Sequence, residues 1–292
     1  MPRRPGSALA AAILATVGAL ACGGAASGPV APEASAERIE LALRIPSEGA
    51  RLACTRTVEL LMDGSAAPWA SEVDLRFRPI DHDVLRLRTY GTPYRVAAEG
   101  ERAERVAGAR FTVRTRVDAH ARAIEEPAVG GGAERSMYGT VVVAIERLLE
   151  PVFPEAPVAV GTTWREEPSI WRPRAPPATV AIERTFTLHA LEGEGSERVA
   201  WIRTDATARV SDLSMGGTAL SGEARVRGMS AVRASDGLPR SASYEVSLSV
   251  SGEGIGALFA GQSIGAKIRD RCAPAAPRGR PLVSGVPPVS AR

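Results

Sequence analysis

The sequence predicts a mainly β protein: a large antiparallel curved sheet, half-barrel or two-lobed, with one amphipathic helix packed on its apolar face. Three observations carry that expectation. Segment after segment alternates apolar and charged residues with period two, the pattern of strands with one covered and one wet face. One stretch, residues 134–150, changes to helical spacing. Turn signals such as Asp63-Gly64, Gly91-Thr92-Pro93, Glu99-Gly100 and Ser235-Asp236-Gly237 punctuate the rest. A two-domain β-sandwich without a cavity is the alternative architecture.

The chain opens on Arg3 and Arg4, then an uncharged run rich in Ala, Leu, Ile and Val, then Gly18-Ala-Leu-Ala-Cys22. That run is too short to span a bilayer and has the layout of a secretion signal. Small residues before a cysteine resemble a bacterial lipobox, with Ala19 standing where Leu is commoner. The resemblance implies a lipoprotein signal peptide over residues 1–21, and diacylation of Cys22 as the mature N-terminus. The other reading is an ordinary signal peptide with Cys22 incidental. Pro5-Gly6 after the arginine pair does not fit twin-arginine export. Residues 22–37 lack periodicity and are rich in small residues, so they read as the lipidated cysteine and a flexible tether.

Residues 38–150 form an N-terminal β-rich half. Ile39, Leu41, Leu43 and Ile45 alternate with Arg38, Glu40 and Arg44, and Val58, Leu60 and Met62 repeat the period. Val73, Leu75 and Phe77 oppose Glu72, Asp74, Arg76 and Arg78; Leu85 and Leu87 oppose Arg86 and Arg88; Phe111, Val113 and Val117 oppose Arg110, Arg114 and Arg116. Gly130-Gly131-Gly132 interrupts the pattern. Met137, Val141, Ile145 and Leu148, with Ala144 and Leu149 beside them, then mark one apolar helix face. Such a face needs a partner, and the apolar side of the sheet supplies one.

Pro151, Pro154 and Pro157 stop that helix, Gly161 permits a turn, and Thr162-Thr163-Trp164 opens a strand, with Trp164 plugging the junction between the halves. This segment resembles the "LP-x-x-PV-x-VG-x-x-W" stretch of uncharacterised β-rich lipoproteins of bacterial envelopes, with Phe153 in place of Leu. The resemblance extends loosely over residues 135–250 by order of elements and implies no established activity. The architecture as a whole is similar, at fold level, to the half-barrel-plus-helix of outer-membrane lipoprotein carriers.

Residues 151–272 form the second β-rich half, and both halves together read as one domain. Val180, Ile182, Phe186 and Leu188 alternate with Glu183, Thr185, Thr187 and His189. Residues 199–210 make another strand, residues 220–234 a hairpin, and Tyr244, Val246, Leu248 and Val250 the inward side of a further strand. The Gly-rich apolar residues 252–266 fit no element clearly. Residues 273–292, with five prolines, read as a disordered tail.

Composition excludes some functions. Cleavage before Cys22 removes Arg3 and Arg4 and leaves 34 basic against 33 acidic residues, with Arg interleaved among Glu and Asp. No concentrated basic footprint for nucleic acid remains. Aromatic residues, at 4%, are too sparse for a stacking platform. With Cys22 lipidated, Cys54 and Cys272 are an even pair in an exported chain, which suggests a disulfide; two separate buried thiols are the alternative.

Catalytic and metal signals are weak. Gly261-Gln-Ser263-Ile-Gly265 matches a nucleophile elbow, but Asp270 follows it and no histidine does. Asp81-His82-Asp83 has the right atoms for a metal, yet His120 and His189 stand at no ligand spacing. Glu125-Glu126 and Glu166-Glu167 are adjacent, so along a strand they point apart. The expectation is therefore no catalytic residue, no metal and no cofactor. It is a non-enzymatic lipoprotein held to the bacterial envelope through Cys22, facing the periplasm, with the outer membrane favoured because Gly23 follows the cysteine. Its sheet and helix would enclose a groove for a lipid or other hydrophobic ligand; alternatively it is a structural or protein-interaction module with no small-molecule ligand.

Overall fold

A computed structural model describes residues 37–61, 68–92, 94–96, 102–105, 110–130, 137–172, 178–215, 218–252 and 263–275. Among these residues the chain forms one open, curved, antiparallel sheet and a single long helix. The first half contributes β1 (Ala50–Leu61), β2 (Trp69–Ile80), β3 (Asp83–Tyr90), β4 (Tyr94–Val96), β5 (Arg102–Arg105), β6 (Phe111–Val117) and β7 (Ala128–Gly130). Helix α1 spans Met137–Leu149. The second half contributes β8 (Thr163–Arg165), β9 (Ser169–Trp171), β10 (Thr179–Glu192), β11 (Val199–Met215), β12 (Thr218–Arg233), β13 (Pro239–Gly252) and β14 (Ser263–Pro274).

Strand order is β7-β6-β3-β2-β1-β14-β13-β12-β11-β10-β8, with β4 and β5 extending from β2 and β9 pairing β10. The two halves join where the first strand meets the last: β1 pairs β14 from Leu52 opposite Pro274 to Leu61 opposite Gly265. β7 and β8 lie at opposite ends of this order, and α1 connects them. The helix therefore has to cross the face of the sheet. It settles on the apolar side, where residues from nearly every long strand meet it and the following segment through Val160 in one core.

Four sequence expectations change. Residues 38–45 do not join the ladder; only Ile39 bridges, to Val158, while Leu41 and Leu43 pack into the core. The backbone there bonds loops instead, Leu43 N–H to the Ala119 carbonyl and Arg44 N–H to that of Asp236. Residues 220–234 are not a hairpin but part of the continuous β12. Gly228 is no turn residue: a Cβ there would stand 2.5 Å from Tyr244 Cδ1 and 2.3 Å from the Ser243 carbonyl oxygen. Its glycine lets the Tyr244 ring lie flat against β12.

The third change is the side β3 presents. Arg86 lies opposite Phe77 and Thr115, and Arg88 opposite Leu75 and Val113, so both arginines face inward with Val84 and Tyr90. Leu85 and Leu87 face out between arginines, Leu85 flanked by Arg78 and Arg116, Leu87 by Arg76 and Arg114. The strand carries two apolar residues on each parity, so pattern alone could not orient it. Aliphatic arginine stems cover the leucines on the outside. Fourth, Ala273 and Pro274 belong to β14, and Ala275 N–H bonds the Arg51 carbonyl. They continue the last strand because β1 still has a free neighbour there.

The helix face also differs in part from the expected one: Leu148 and Leu149 lie on it as expected, and the side chains of Met137 and Val141 lie outside those described. Val143, Glu146, Leu148 and Leu149 are buried, while Ala144 and Ile145 are only half-buried. A carboxylate thus sits in the middle of the packed face.

Candidate functional site

The disulfide forms between Cys54 and Cys272, which are directly opposed on β1 and β14 and 218 residues apart in sequence. Two residues along the same ladder, Arg56 stands opposite Asp270. Cross-strand neighbours at this spacing share a face, so covalent and ionic links lie side by side at the seam of the two halves. Cys22 lies outside the described residues, as do Met62, Asp63-Gly64, Glu99-Gly100, Gly261 and most of the tail.

The junction closes the helix onto the sheet. Phe153 and Pro154 are buried, Pro157 is exposed, and Gly161 adopts a positive φ of 89° while its N–H bonds the Leu188 carbonyl. Trp164, on β8, is half-buried and stacks on Phe186 with centroids 5.9 Å apart. Its indole N–H donates to the Val152 carbonyl at 2.7 Å, fastening the post-helix segment to β8. Trp164 acts as a staple at one edge of the sheet rather than as a plug between two bodies.

The dominant feature of the concave side is a buried cluster of charges beneath α1. Arg56 holds Asp270 through two bonds, 2.8 and 2.6 Å, and also pairs with Glu146. Arg88 pairs with Glu146 and, at 2.6 Å, with Glu150. Arg86 pairs with Glu150, and Arg184 with Glu166 at 2.5 Å. Tyr90 donates its hydroxyl proton to Glu146. Glu146 is 4% exposed and Arg56 9%. These residues come from β1, β3, β10, β14, the helix and the β8–β9 connection. No two strands hold them alone; the curvature of the sheet brings them together.

The end of α1 is capped from the sheet. The last carbonyls of a helix lack intrahelical donors. Here Tyr244 O–H donates to the Leu149 carbonyl at 2.5 Å. Arg184 donates to the Arg147 and Glu150 carbonyls at 2.5 and 2.8 Å. Guanidinium charge also complements the negative end of the helix dipole. Helix position is thus fixed by directional bonds as well as by apolar contact.

Electrostatics agree with tight pairing. Burial pushes Glu150 up, but Arg86, Arg88 and Arg184 outweigh it and hold the carboxyl below its ordinary range. Burial likewise opposes ionisation of Asp270, and Arg56 overcomes it, leaving that carboxyl lowered too. Tyr90 and Tyr244 are raised, mainly by burial, so both remain hydroxyl donors. The cavities around the cluster measure about 100, 80 and 40 Å³.

The remaining sequence candidates do not converge. Ser263 opens β14 opposite Ser249 in an antiparallel ladder, not at a strand-to-helix turn, and Asp270 is engaged by Arg56. Asp81-His82 form the exposed β2–β3 turn, and Asp83 pairs with Arg116 at 2.5 Å. Among the described residues no group of three or more His, Cys, Asp or Glu side chains is placed to hold a metal. Glu166, set aside as one of an adjacent pair, is the carboxylate of Arg184.

Sequence reasoning missed the cluster, although a signal existed. Arg56 falls between inward Cys54 and Val58, Arg184 between Ile182 and Phe186, and Asp270 between Ile268 and Cys272. A charge on the apolar parity of a strand marks a buried partner elsewhere. No protein-family model matches this chain, and no curated protein matches it significantly.

Proposed function

We propose that the chain is a non-enzymatic lipoprotein of a bacterial cell envelope, anchored through diacylated Cys22, and that its folded part is a structural or protein-interaction module. The disulfide supports the compartment, since such bonds persist where thiols are oxidised. The observation that carries the choice of module is the filled concave side. Helix α1 occupies it, bonded through Glu146 and Glu150 to three strand arginines. The cavities left there, about 100 Å³ or less, fall well below the roughly 300–1,000 Å³ of ordinary ligand pockets.

Two experiments test this reading. Expression in a bacterial host fed a clickable fatty acid should label the chain, and Cys22→Ser should abolish the label and release the protein from membranes. Labelling that persists in Cys22→Ser would remove the anchor. Native mass spectrometry of the mature protein should then show an unliganded mass. A stoichiometric co-purified lipid would restore the hydrophobic-groove reading, with α1 displaced by its guest.

A further inference from the structure

The largest cavity beside the cluster, about 100 Å³, lies in the slit where the two edges of the open sheet face each other across the end of α1. Thr115 of β6 and Ala123 line it from one edge, Glu166 and Ser169 from the other. Asp118 shapes the first wall by accepting the N–H groups of His120 and Arg122 through one carboxylate oxygen. The floor is ionic.

Four arginines line this cavity, Arg86, Arg88, Arg147 and Arg184, against three glutamates, Glu146, Glu150 and Glu166. Arg86, Arg88 and Arg184 each hold a carboxylate. Arg147 holds none among the described residues; its guanidinium stands 5.9 Å from the centre of the Trp171 ring. Arg56, just behind the wall, is matched by Asp270. The lining therefore carries one surplus positive charge in a space from which bulk water is largely excluded. Burial and the neighbouring Arg184 already press on the Arg147 proton.

We propose that this slit binds one small oxyanion, a carboxylate or phosphate group, with Arg147 as its charge partner and Thr115 and Ser169 as hydroxyl donors. Size and charge both set the ligand. A space of about 100 Å³ suits one such group and lies far below the roughly 300–1,000 Å³ of pockets for larger ligands. A planar guanidinium is shaped to bind carboxylate or phosphate through two bonds. The bordering carboxylates are already neutralised by their arginines, so they do not repel a single anionic charge but oppose a second. The site goes beyond the module reading and does not depend on lipidation of Cys22.

Thermal unfolding of the mature full-length protein tests it, at fixed ionic strength with chloride exchanged for acetate or phosphate. The expected result is a saturable rise in Tm of about 2–4 °C with either oxyanion, absent in Arg147→Gln. An equal rise in Arg147→Gln overturns the proposal. Should Arg147→Gln not fold, Ser169→Ala on the slit rim replaces it: affinity should fall at least about threefold, and an unchanged affinity overturns the site. A second arm offers phosphatidylglycerol in phosphatidylcholine vesicles. Arg147-dependent binding to these alone identifies a lipid headgroup as the ligand, and binding of acetate or phosphate alone identifies a free ion. Binding of neither overturns the proposal.

Discussion

Two regions of the concave face are buried to the same degree by opposite means. Toward β10 and β11, Phe186, Leu188 and Ile202 are fully enclosed by apolar neighbours. Under α1, toward β1 and β3, Arg56, Tyr90 and Glu146 are almost as enclosed, but by charge and hydroxyl. The apolar region gains stability with each contact, in any orientation. In the ionic region each desolvated charge must find its partner or cost several kcal/mol. The first region therefore supplies cohesion, and the second specifies where the helix sits. Arg184 belongs to both, its guanidinium 5.6 Å from the Phe186 ring while it bonds the end of α1.

The largest expected effects set the regions against each other. Phe186→Ala should cost about 3–5 kcal/mol in urea unfolding, from lost transfer energy and a cavity. Glu146→Ala should cost a similar ~3–5 kcal/mol, because Arg56 and Arg88 lose a buried counterion. They should differ in kind: Glu146→Ala should also raise hydrogen exchange across residues 143–149, whereas Phe186→Ala should act on the β10–β11 ladder. Identical exchange patterns would show that the two regions unfold as one.

Next comes the covalent link between β1 and β14, beside the ionic region. Replacing Cys54 and Cys272 by Ser frees a loop of 218 residues and should cost about 2–4 kcal/mol. Because Arg56 and Asp270 are the next inward pair, the loss should weaken the ionic region before the apolar one. Hydrogen exchange separates them, read at residues 143–149 for the ionic region and along the β10–β11 ladder for the apolar one.

Acid should break the comparison more gradually. Glu150 and Asp270 have folded values below their unfolded ones, so each contributes stability in full above the unfolded carboxylate range of roughly 4 and loses it as pH falls through the folded value. Stability should thus fall below about pH 4. Glu150→Gln should flatten that dependence, while Phe186→Ala should leave its shape unchanged. The smallest effect belongs to the outer face. Arg209, between Glu183 and Glu223 and largely exposed, should leave the urea midpoint nearly unchanged when replaced by Ala, with any difference vanishing in high salt.

The strands were legible because period-two alternation leaves a direct trace of one-sided burial. Val73, Leu75 and Phe77, and Val180, Ile182, Phe186 and Leu188, stand where that pattern puts them. The helix stop at Pro151 was legible because proline lacks the needed N–H. The inward side of β3 was not, since Val84 and Tyr90 compete with Leu85 and Leu87 on opposite parities. The ionic cluster was legible only in pieces: each misplaced charge announced a partner without saying which.

By itself the sequence determined the mainly β class with one long helix and the break after that helix, and it pointed to a bond between the only two cysteines beyond residue 22. These follow from local periodicity, backbone chemistry and the even cysteine count of an exported chain. Tertiary structure alone decided that the first strand pairs the last, that α1 crosses from one sheet edge to the other, and that four arginines meet their carboxylates beneath it. Those contacts join residues as far apart as Arg56 and Asp270, 214 positions along the chain. Ion pairing depends on distance and orientation in three dimensions, and neither is written into the spacing of residues along a strand.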